Sequence, residues 1–143
     1  MLINVTLDSV PYISKPNGLD CGAIKNRAKQ VTVSLDELVA AVEHGQTVIP
    51  AVMTGTKARD WQEQQLFMLD IDNVEAGNEV ITPEQAIRVC QDRGLPPVFY
   101  YYTFSHTEDR PKFRIAFLTE EAIHEEFQRK TVMDGLLKLF PQA

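Results

Sequence analysis

The chain has few cysteines and no long apolar run. Only two cysteines occur among its 143 residues, Cys21 and Cys90, and they lack the close spacing of a zinc ribbon or a redox motif. We therefore predict two free thiols. The apolar stretches are far shorter than the roughly 20 residues that a membrane-spanning helix needs. Met1–Val10 carries no basic segment and no signal-peptide cleavage site, so we expect a cytoplasmic protein that does not bind a membrane.

The chain also lacks an excess of basic charge. Its formal net charge at pH 7 is −6, which argues against a surface coated with basic residues for nonspecific nucleic-acid binding. A local basic patch can coexist with an acidic total. Lys25, Arg27 and Lys29 form such a cluster, which we interpret as a solvated loop in preference to a phosphate contact. A chain of this length supports one hydrophobic core, so we predict a single domain over 1–143, with 1–30 as a peripheral N-terminal segment.

Three segments have the pattern of helices, and they cover residues 35–44, 83–94 and 119–140. The first begins with a capping box of Ser34 and Glu37, and the second with Thr82 as N-cap and Gln85 three residues later. The third has acidic residues at its start, which the helix dipole favours. Glycine should end the first two helices.

Four segments have the pattern of strands: Leu2–Leu7, Gln65–Ile71, Val98–Thr103 and Lys112–Leu118. The first should lead into irregular connections, and residues 48–61 should form a loop or an irregular strand. Apolar side chains occupy alternate positions of the second and fourth strands, so each has one apolar and one polar face. We predict an α+β fold in which helices cover one face of the sheet and the other face is open.

Two carboxylates stand at the end of the second strand. Asp70 and Asp72 are two residues apart and share a face, while Leu69 and Ile71 occupy the other. Two neighbouring carboxylates repel each other unless a cation lies between them. Carboxylate oxygens are the ligands that Mg²⁺ and Mn²⁺ prefer. We predict that Asp70 and Asp72 hold a divalent metal ion; for an Asp-x-Asp motif alone, a solvated strand end or turn is the alternative.

Basic and polar residues are predicted to approach the same face. Lys112 and Arg114 lie on the polar side of the fourth strand. Arg114 could bind phosphate with its planar guanidinium fork, and Lys112 could attract phosphate as a point charge. Ser105 and His106 lie in the loop before this strand. The hydroxyl, the imidazole and the two cations could therefore converge on one anion, although a lone histidine in a loop is more often structural.

Three motifs together carry a resemblance to a known family: Leu69-Asp70-Ile71-Asp72, Phe104-Ser105-His106 and Pro111-Lys112-Phe113-Arg114-Ile115. Over about residues 35–143 the chain resembles the archaeo-eukaryotic primase superfamily, especially the primase-polymerase domains of phages, plasmids and integrated elements. The resemblance implies an RRM-like (ferredoxin-like) core. It also implies that Asp70 and Asp72 bind the catalytic Mg²⁺ or Mn²⁺ ions and that His106, with Ser105 beside it, contacts the phosphates of the nucleotide.

The function implied by this resemblance is template-directed nucleotidyl transfer by two-metal catalysis. The partners would be nucleoside triphosphates and a single-stranded DNA template with its primer, and any helicase would lie outside this chain. The family has a third acidic motif, which we expect beyond Ala143. We therefore interpret the chain as the N-terminal part of a primase-polymerase module.

Two other functions remain open. A noncatalytic RRM-like module would bind nucleic acid by stacking bases on aromatic side chains, and Tyr100 and Tyr102 share a face that could serve. A rolling-circle initiator nuclease uses a similar sheet, but it normally needs two histidines flanking one apolar residue. None of His44, His106 and His124 has such a partner, which makes the nuclease the weaker alternative.

Overall fold

The chain folds into helices and two β-sheets, as a computed structural model that describes residues 1–74 and 79–143 shows. The strands are β1 Leu2–Pro11, β2 Lys29–Ser34, β3 Gln46–Ile49, β4 Ala51–Met53, β5 Trp61–Ile71, β6 Phe99–Tyr102 and β7 Phe113–Ile123. The helices are α1 Gly18–Arg27, α2 Leu35–His44, α3 Pro83–Asp92 and α4 Glu126–Leu137, with a 3₁₀ turn at Ala58–Asp60. The strand orders are β2-β1-β3 and β4-β5-β7-β6. The predicted α+β class is confirmed.

The contacts divide the chain into two compact units. The first unit contains residues 1–66 and 120–126, and the second contains residues 67–119 and 127–143. The prediction of a single domain stays a prediction. Within the described ranges, every helix is too short or too polar to span a lipid bilayer.

The first unit is built on β1, which pairs antiparallel with β2 on one side and with β3 on the other. Asp8 on this strand has a fully buried side chain. Arg27 donates from Nε to Asp8 Oδ1 at 2.6 Å and from Nη2 to Oδ2 at 2.8 Å. These hydrogen bonds favour the ionised carboxylate and therefore lower the pKa of Asp8. A buried carboxylate needs such a charged partner. The interpretation of Arg27 as part of a solvated loop is therefore wrong.

Helix α1 replaces the irregular connections that the sequence predicted after Leu7. Asn17 is the N-cap of the helix: its side chain accepts from Asp20 N at 2.9 Å, and its own N–H donates to Asp20 Oδ2 at 3.0 Å. Aspartate at the third helical position is a less common form of the capping box than glutamate or glutamine. The prediction of irregular connections overlooked this variant.

Helices α2 and α3 confirm the predictions from their capping boxes. The Ser34 side chain accepts from Glu37 N at 3.1 Å, and the Thr82 side chain accepts from Gln85 N at 3.2 Å. Helix α2 ends at Gly45, which has a φ of 98°. A left-handed residue at this place terminates a helix, and glycine adopts that conformation at little cost.

Several strands are longer than predicted: β1 continues to Pro11, and β5 starts early. Strand β5 begins at Trp61, four residues before Gln65, because the polar residues between them belong to the sheet: Gln64 is buried and donates to Leu66 O at 2.8 Å. The segment before it also contains β3 and β4. A run of glutamine and glutamate has no apolar alternation, so the pattern alone could not reveal these strand residues.

The last helix begins later than predicted. Strand β7 continues to Ile123, and α4 starts at Glu126. The acidic residues after Thr119 are typical of a first helical turn, but here they extend a strand whose Glu120 carbonyl accepts from Gln65 Nε2 at 3.2 Å. This contact joins residues distant in sequence, and such contacts override local propensity.

The core of the second unit lies on one face of β5 and β7. Its fully or almost fully buried side chains are Phe67, Leu69, Ile71, Phe113 and Ile115 from the strands, with Ala86 and Cys90 from α3. Burial raises the pKa of Cys90, so its thiol stays protonated. Cys21 is exposed, and both cysteines are free as predicted.

Candidate functional site

The end of β5 presents a carboxylate to solvent. Leu69 and Ile71 are buried, whereas the Asp70 side chain between them retains 52% of its exposure. Asp72 follows the strand directly and is exposed as well. This is the alternation expected of a strand with one face in the core.

Arg114 pairs with Asp70 across neighbouring strands. It lies on β7, next to β5 in the sheet. Its Nε donates to Asp70 Oδ1, and its Nη2 donates to Oδ2 at 3.3 Å. A contact through two nitrogens fixes the orientation of the guanidinium group against the carboxylate. The structure therefore brings these two predicted site residues together and gives Asp70 a cationic partner from within the chain.

Tyr101 is a second partner of Arg114, and the sequence analysis did not single it out. It lies directly opposite Arg114 in the pairing of β6 with β7. Its hydroxyl accepts from Arg114 Nη1 at 2.9 Å, and the guanidinium carbon lies 5.7 Å from the centre of its ring. Burial raises the pKa of Tyr101. The signal in the sequence was the alternation of side chains along β6, which puts Tyr101 on one face and Tyr100 and Tyr102 on the other.

Arg114 stays protonated in this environment. Partial burial acts to lower its pKa, but the hydrogen bond to Asp70 and the proximity of Tyr101 outweigh that effect, so the pKa of Arg114 lies above its ordinary value. Arginine is in any case protonated throughout the accessible pH range. The site therefore always contains one fixed positive charge beside Asp70.

Asn73 fixes the chain immediately after Asp72. It is the one non-glycine residue with positive φ, 52°, in the described ranges, and its side chain is buried. Its Nδ2 donates to Ile81 O at 3.0 Å and to Pro111 O at 2.7 Å, and its Oδ1 accepts from Ile81 N at 3.0 Å. The backbone N–H groups of Asp72 and Asn73 both lie 3.3 Å from Gln142 O. Asn73 thus positions Asp72, a role that the sequence analysis missed.

His106 lies against Tyr102. The two rings stack with centroids 3.9 Å apart, and His106 Nδ1 accepts from Lys112 N at 3.2 Å. A nitrogen that accepts carries no proton, so the neutral imidazole has its hydrogen on Nε2. Tyr102 is paired with Phe113, and its side chain therefore lies on the face opposite Arg114. This structure does not bring the His106 ring into the Asp70–Arg114 pair.

Lys112 and Ser105 complete the set of predicted phosphate contacts. The carbonyl of Lys112 accepts from Thr103 N at 2.9 Å, which continues the strand pairing beyond β7. Lys112 is half-buried, and its position two residues before Arg114 places it on the same side of the strand. Ser105, also half-buried, lies in the loop beside His106. The predicted phosphate contacts therefore form two groups: Lys112 and Arg114 on the strand side, and Ser105 and His106 in the loop.

The donor atoms at the end of β5 are of the chemical type that binds a divalent cation. Two exposed carboxylates offer hard oxygen ligands, and Mg²⁺ typically takes one or two carboxylates and completes its shell with water and phosphate. No cluster of three or more histidine, cysteine, aspartate or glutamate residues suited to a metal occurs in residues 1–74 and 79–143. Among the described residues, Asp70 and Asp72 are therefore the two candidate ligands, further ligands would have to complete the shell of an ion, and Asp70 would share its charge with Arg114.

Comparisons of the chain with protein-family models, with curated proteins and with solved structures found no match. Membership of the primase superfamily stays a prediction. The interpretation of this site rests on its residues, their geometry and the motifs that they form.

Proposed function

We propose that this chain is part of a template-directed nucleotidyltransferase, a primase or polymerase, that binds a nucleoside triphosphate together with a divalent ion. The observation that carries the proposal is the pair of Asp70 and Arg114 at the exposed end of β5, with the exposed Asp72 beside it in the chain. A metal–triphosphate complex needs carboxylates for the cation and a guanidinium fork for the phosphates. This face offers both.

The order of elements supports an RRM-like arrangement of the second half. β5, α3, β6, β7 and α4 follow one another along the chain, and their strands lie in the order β5-β7-β6. This succession matches the first five elements of a β-α-β-β-α-β ferredoxin-like unit. We infer that helices cover the face of Leu69 and Phe113 and that the face of Asp70 is the working surface.

The acidic and basic residues of this face have distinct roles. An Mg²⁺ or Mn²⁺ ion held by Asp70 and Asp72 would supply a Lewis acid for the attacking 3′ hydroxyl and for the leaving pyrophosphate. Arg114 binds phosphate oxygens with its planar fork, and Lys112 adds a compact positive charge. Both cations stabilise the negative charge that develops on the phosphates during transfer.

The loop residues offer further hydrogen-bond donors. His106 presents Nε2–H because its Nδ1 is engaged by Lys112 N, and Ser105 presents a hydroxyl. The resemblance assigns both to phosphate contacts, and that role requires the loop to move, since the His106 ring lies against Tyr102 on the face opposite Arg114.

The partners that follow from this function are nucleoside triphosphates and a single-stranded DNA template with its primer. A helicase would be a separate domain or protein, and the setting would be the cytoplasm. Because the net charge of the chain is −6, we expect the template to be held by local contacts.

Titration with a fluorescent nucleoside triphosphate, with and without Mn²⁺, tests the proposal. We expect Mn²⁺-dependent binding that weakens by at least about tenfold in Asp70→Asn, because a metal ligand contributes several kcal/mol. Asp92→Asn is the matched control, since it removes the same charge from an exposed position at the end of α3 and should bind as the wild type does. Absence of Mn²⁺-dependent binding by the wild-type chain would contradict the proposal.

A noncatalytic nucleic-acid-binding module is the second candidate, and the exposed tyrosines of β6 favour it. Tyr100 and Tyr102 are 37% and 48% exposed, and their rings meet edge to face at 6.0 Å. They share a face as expected, but it is the face opposite Arg114. Stacking of a base on such a ring is worth about 1–3 kcal/mol. Tight binding of single-stranded oligonucleotide that is lost in Tyr102→Ala, without affinity for triphosphate, would favour this module.

A further inference from the structure

We propose that Tyr101 is a positioning residue that holds Arg114 in place while Asp70 passes from the guanidinium group to a divalent cation. The binding of cation and the binding of triphosphate are thereby coupled through Arg114. This inference rests on the proposed function and deepens it, because it says how one side chain serves two ligands of opposite charge.

Arg114 contacts its two partners through different nitrogens. Nε and Nη2 face Asp70, whereas Nη1 donates to the Tyr101 hydroxyl at 2.9 Å. The contact with Asp70 can therefore be lost while the contact with Tyr101 is kept. In that state Nε and Nη2 are free to donate to phosphate oxygens as a fork.

Tyr101 is the more permanent of the two partners. It is half-buried and lies directly across from Arg114 on the neighbouring strand, and its ring supports the guanidinium group. The Asp70 side chain is 52% exposed. Solvent screens this half-exposed pair, so a cation that competes for Asp70 loses about fivefold in affinity. The exchange of partners at Asp70 is therefore easy, and the Tyr101 contact persists.

The coupling follows from this geometry. Without triphosphate, Arg114 and the cation compete for Asp70. With triphosphate bound, Arg114 contacts phosphate oxygens and leaves the carboxylate to the cation. Each ligand then favours the other, and the two coupling factors are equal by thermodynamic linkage. Without Tyr101 the freed guanidinium group would have no fixed position, and its contact with phosphate would lose more conformational entropy.

Two calorimetric titrations of the whole chain test this proposal. The first uses Mn²⁺ alone, and the second uses a non-hydrolysable nucleoside triphosphate in the presence of Mn²⁺. The main variant is Tyr101→Phe, which removes one hydroxyl and keeps the ring. The matched control is Tyr100→Phe, which removes a hydroxyl from the same strand on the opposite face. Arg114→Gln and Arg114→Lys remove the fork, and the second keeps the charge. Circular dichroism and the urea midpoint check that each variant is folded.

We expect Tyr101→Phe to weaken triphosphate binding about tenfold, the loss expected for a hydrogen bond to a charged group. It should leave the affinity for Mn²⁺ alone within about twofold, because Arg114 still faces Asp70. Arg114→Gln should bind Mn²⁺ alone about fivefold more tightly and triphosphate more weakly. Arg114→Lys should also lose the coupling, since lysine cannot contact both partners as a fork. Tyr100→Phe should match the wild type in both titrations.

Failure of the positioning role is distinguishable from failure of the proposed function. If the wild type binds triphosphate with Mn²⁺ but Tyr101→Phe behaves like Tyr100→Phe, the role of Tyr101 is overturned and the proposed function stands. The same holds if Arg114→Gln does not bind Mn²⁺ more tightly than the wild type. If the wild type shows no Mn²⁺-dependent binding of triphosphate, both are overturned.

Discussion

Asn73 determines where the chain goes after the two aspartates. Its left-handed backbone conformation and its three side-chain hydrogen bonds act at the same point. Asparagine is among the few residues that adopt this conformation routinely. A buried amide with several partners is costly to remove, because the groups that it contacted are left without partners. Asn73 therefore couples the stability of the second unit to the placement of Asp72.

Asn73→Ala should destabilise the protein by about 4 kcal/mol, from three lost hydrogen bonds of about 1 kcal/mol each and about 1 kcal/mol of strain for alanine at positive φ. Asn73→Gly also loses the hydrogen bonds, but it should recover about 1 kcal/mol of that strain. Urea unfolding at equilibrium measures both variants. Equal stability of the two variants would show that backbone conformation is not part of the role of Asn73.

Asp8 and Arg27 form the corresponding polar contact of the first unit. Asp8 is fully buried, and Arg27 also donates to Tyr12 Oη at 3.0 Å. Because Arg27 lowers the pKa of Asp8 below its model-compound value of 3.8, the carboxylate stabilises the fold while it is ionised. This stabilisation is complete above the unfolded-state pKa and is lost as the pH falls through the lower folded-state pKa.

The variant Asp8→Asn should therefore unfold at a lower urea concentration than the wild type at neutral pH, and the difference should shrink as the pH falls below about 3.8. Asp134→Asn is the control, because its ion pair with Lys130 is exposed on α4. Such a pair contributes little, so this variant should show a much smaller change. A constant difference between Asp8→Asn and the wild type from neutral to acidic pH would contradict the assignment.

At the scale of elements, the ends of the helices depend on a few specific residues. Capping boxes begin α1, α2 and α3. Left-handed glycines follow α2 and α3: Gly45 has a φ of 98°, and Gly94 has a φ of 69°. The surroundings of these two glycines differ. A Cβ atom on Gly45 would lie 2.2 Å from Tyr12 O, whereas a Cβ atom on Gly94 would have no atom within 4 Å.

The two glycines provide a matched pair of variants. Gly94→Ala should destabilise the protein by about 1 kcal/mol, which is the cost of a left-handed alanine alone. Gly45→Ala should cost about 3 kcal/mol, because the backbone near Tyr12 must also move. Thermal unfolding of both variants measures the difference. A Gly45→Ala variant as stable as Gly94→Ala would show that the close approach to Tyr12 does not constrain the fold.

The sequence predicted those features that depend on neighbouring residues. The caps of α2 and α3 and the alternation around Asp70 each follow from a few consecutive positions. It could not predict the partners of Arg27 or the pairing of Tyr101 with Arg114, because these depend on which strands and helices lie side by side. The acidic residues at the end of β7 were predicted to start a helix because acidic residues are typical of a first helical turn. Their actual place in the sheet depends on a strand distant in sequence, which local patterns cannot show.

At the scale of the whole molecule, an acidic chain carries a basic group beside its exposed aspartates. The net charge of −6 repels nucleic acid and triphosphate alike. Under the proposed function, binding of either would depend on local cations, and at this face these would be Arg114, Lys112 and the ion that Asp70 and Asp72 would hold. The central claim of the proposed function is that this ion binds at the end of β5.

Paramagnetic broadening tests that claim most directly. In a titration of the ¹⁵N-labelled chain with substoichiometric Mn²⁺, the amide signals of residues 70–73 and 112–114 should broaden first, and Asp70→Asn should abolish this selectivity. Broadening centred on the acidic segment of residues 120–126, with the signals of residues 70–73 unaffected, would contradict a metal site at the end of β5.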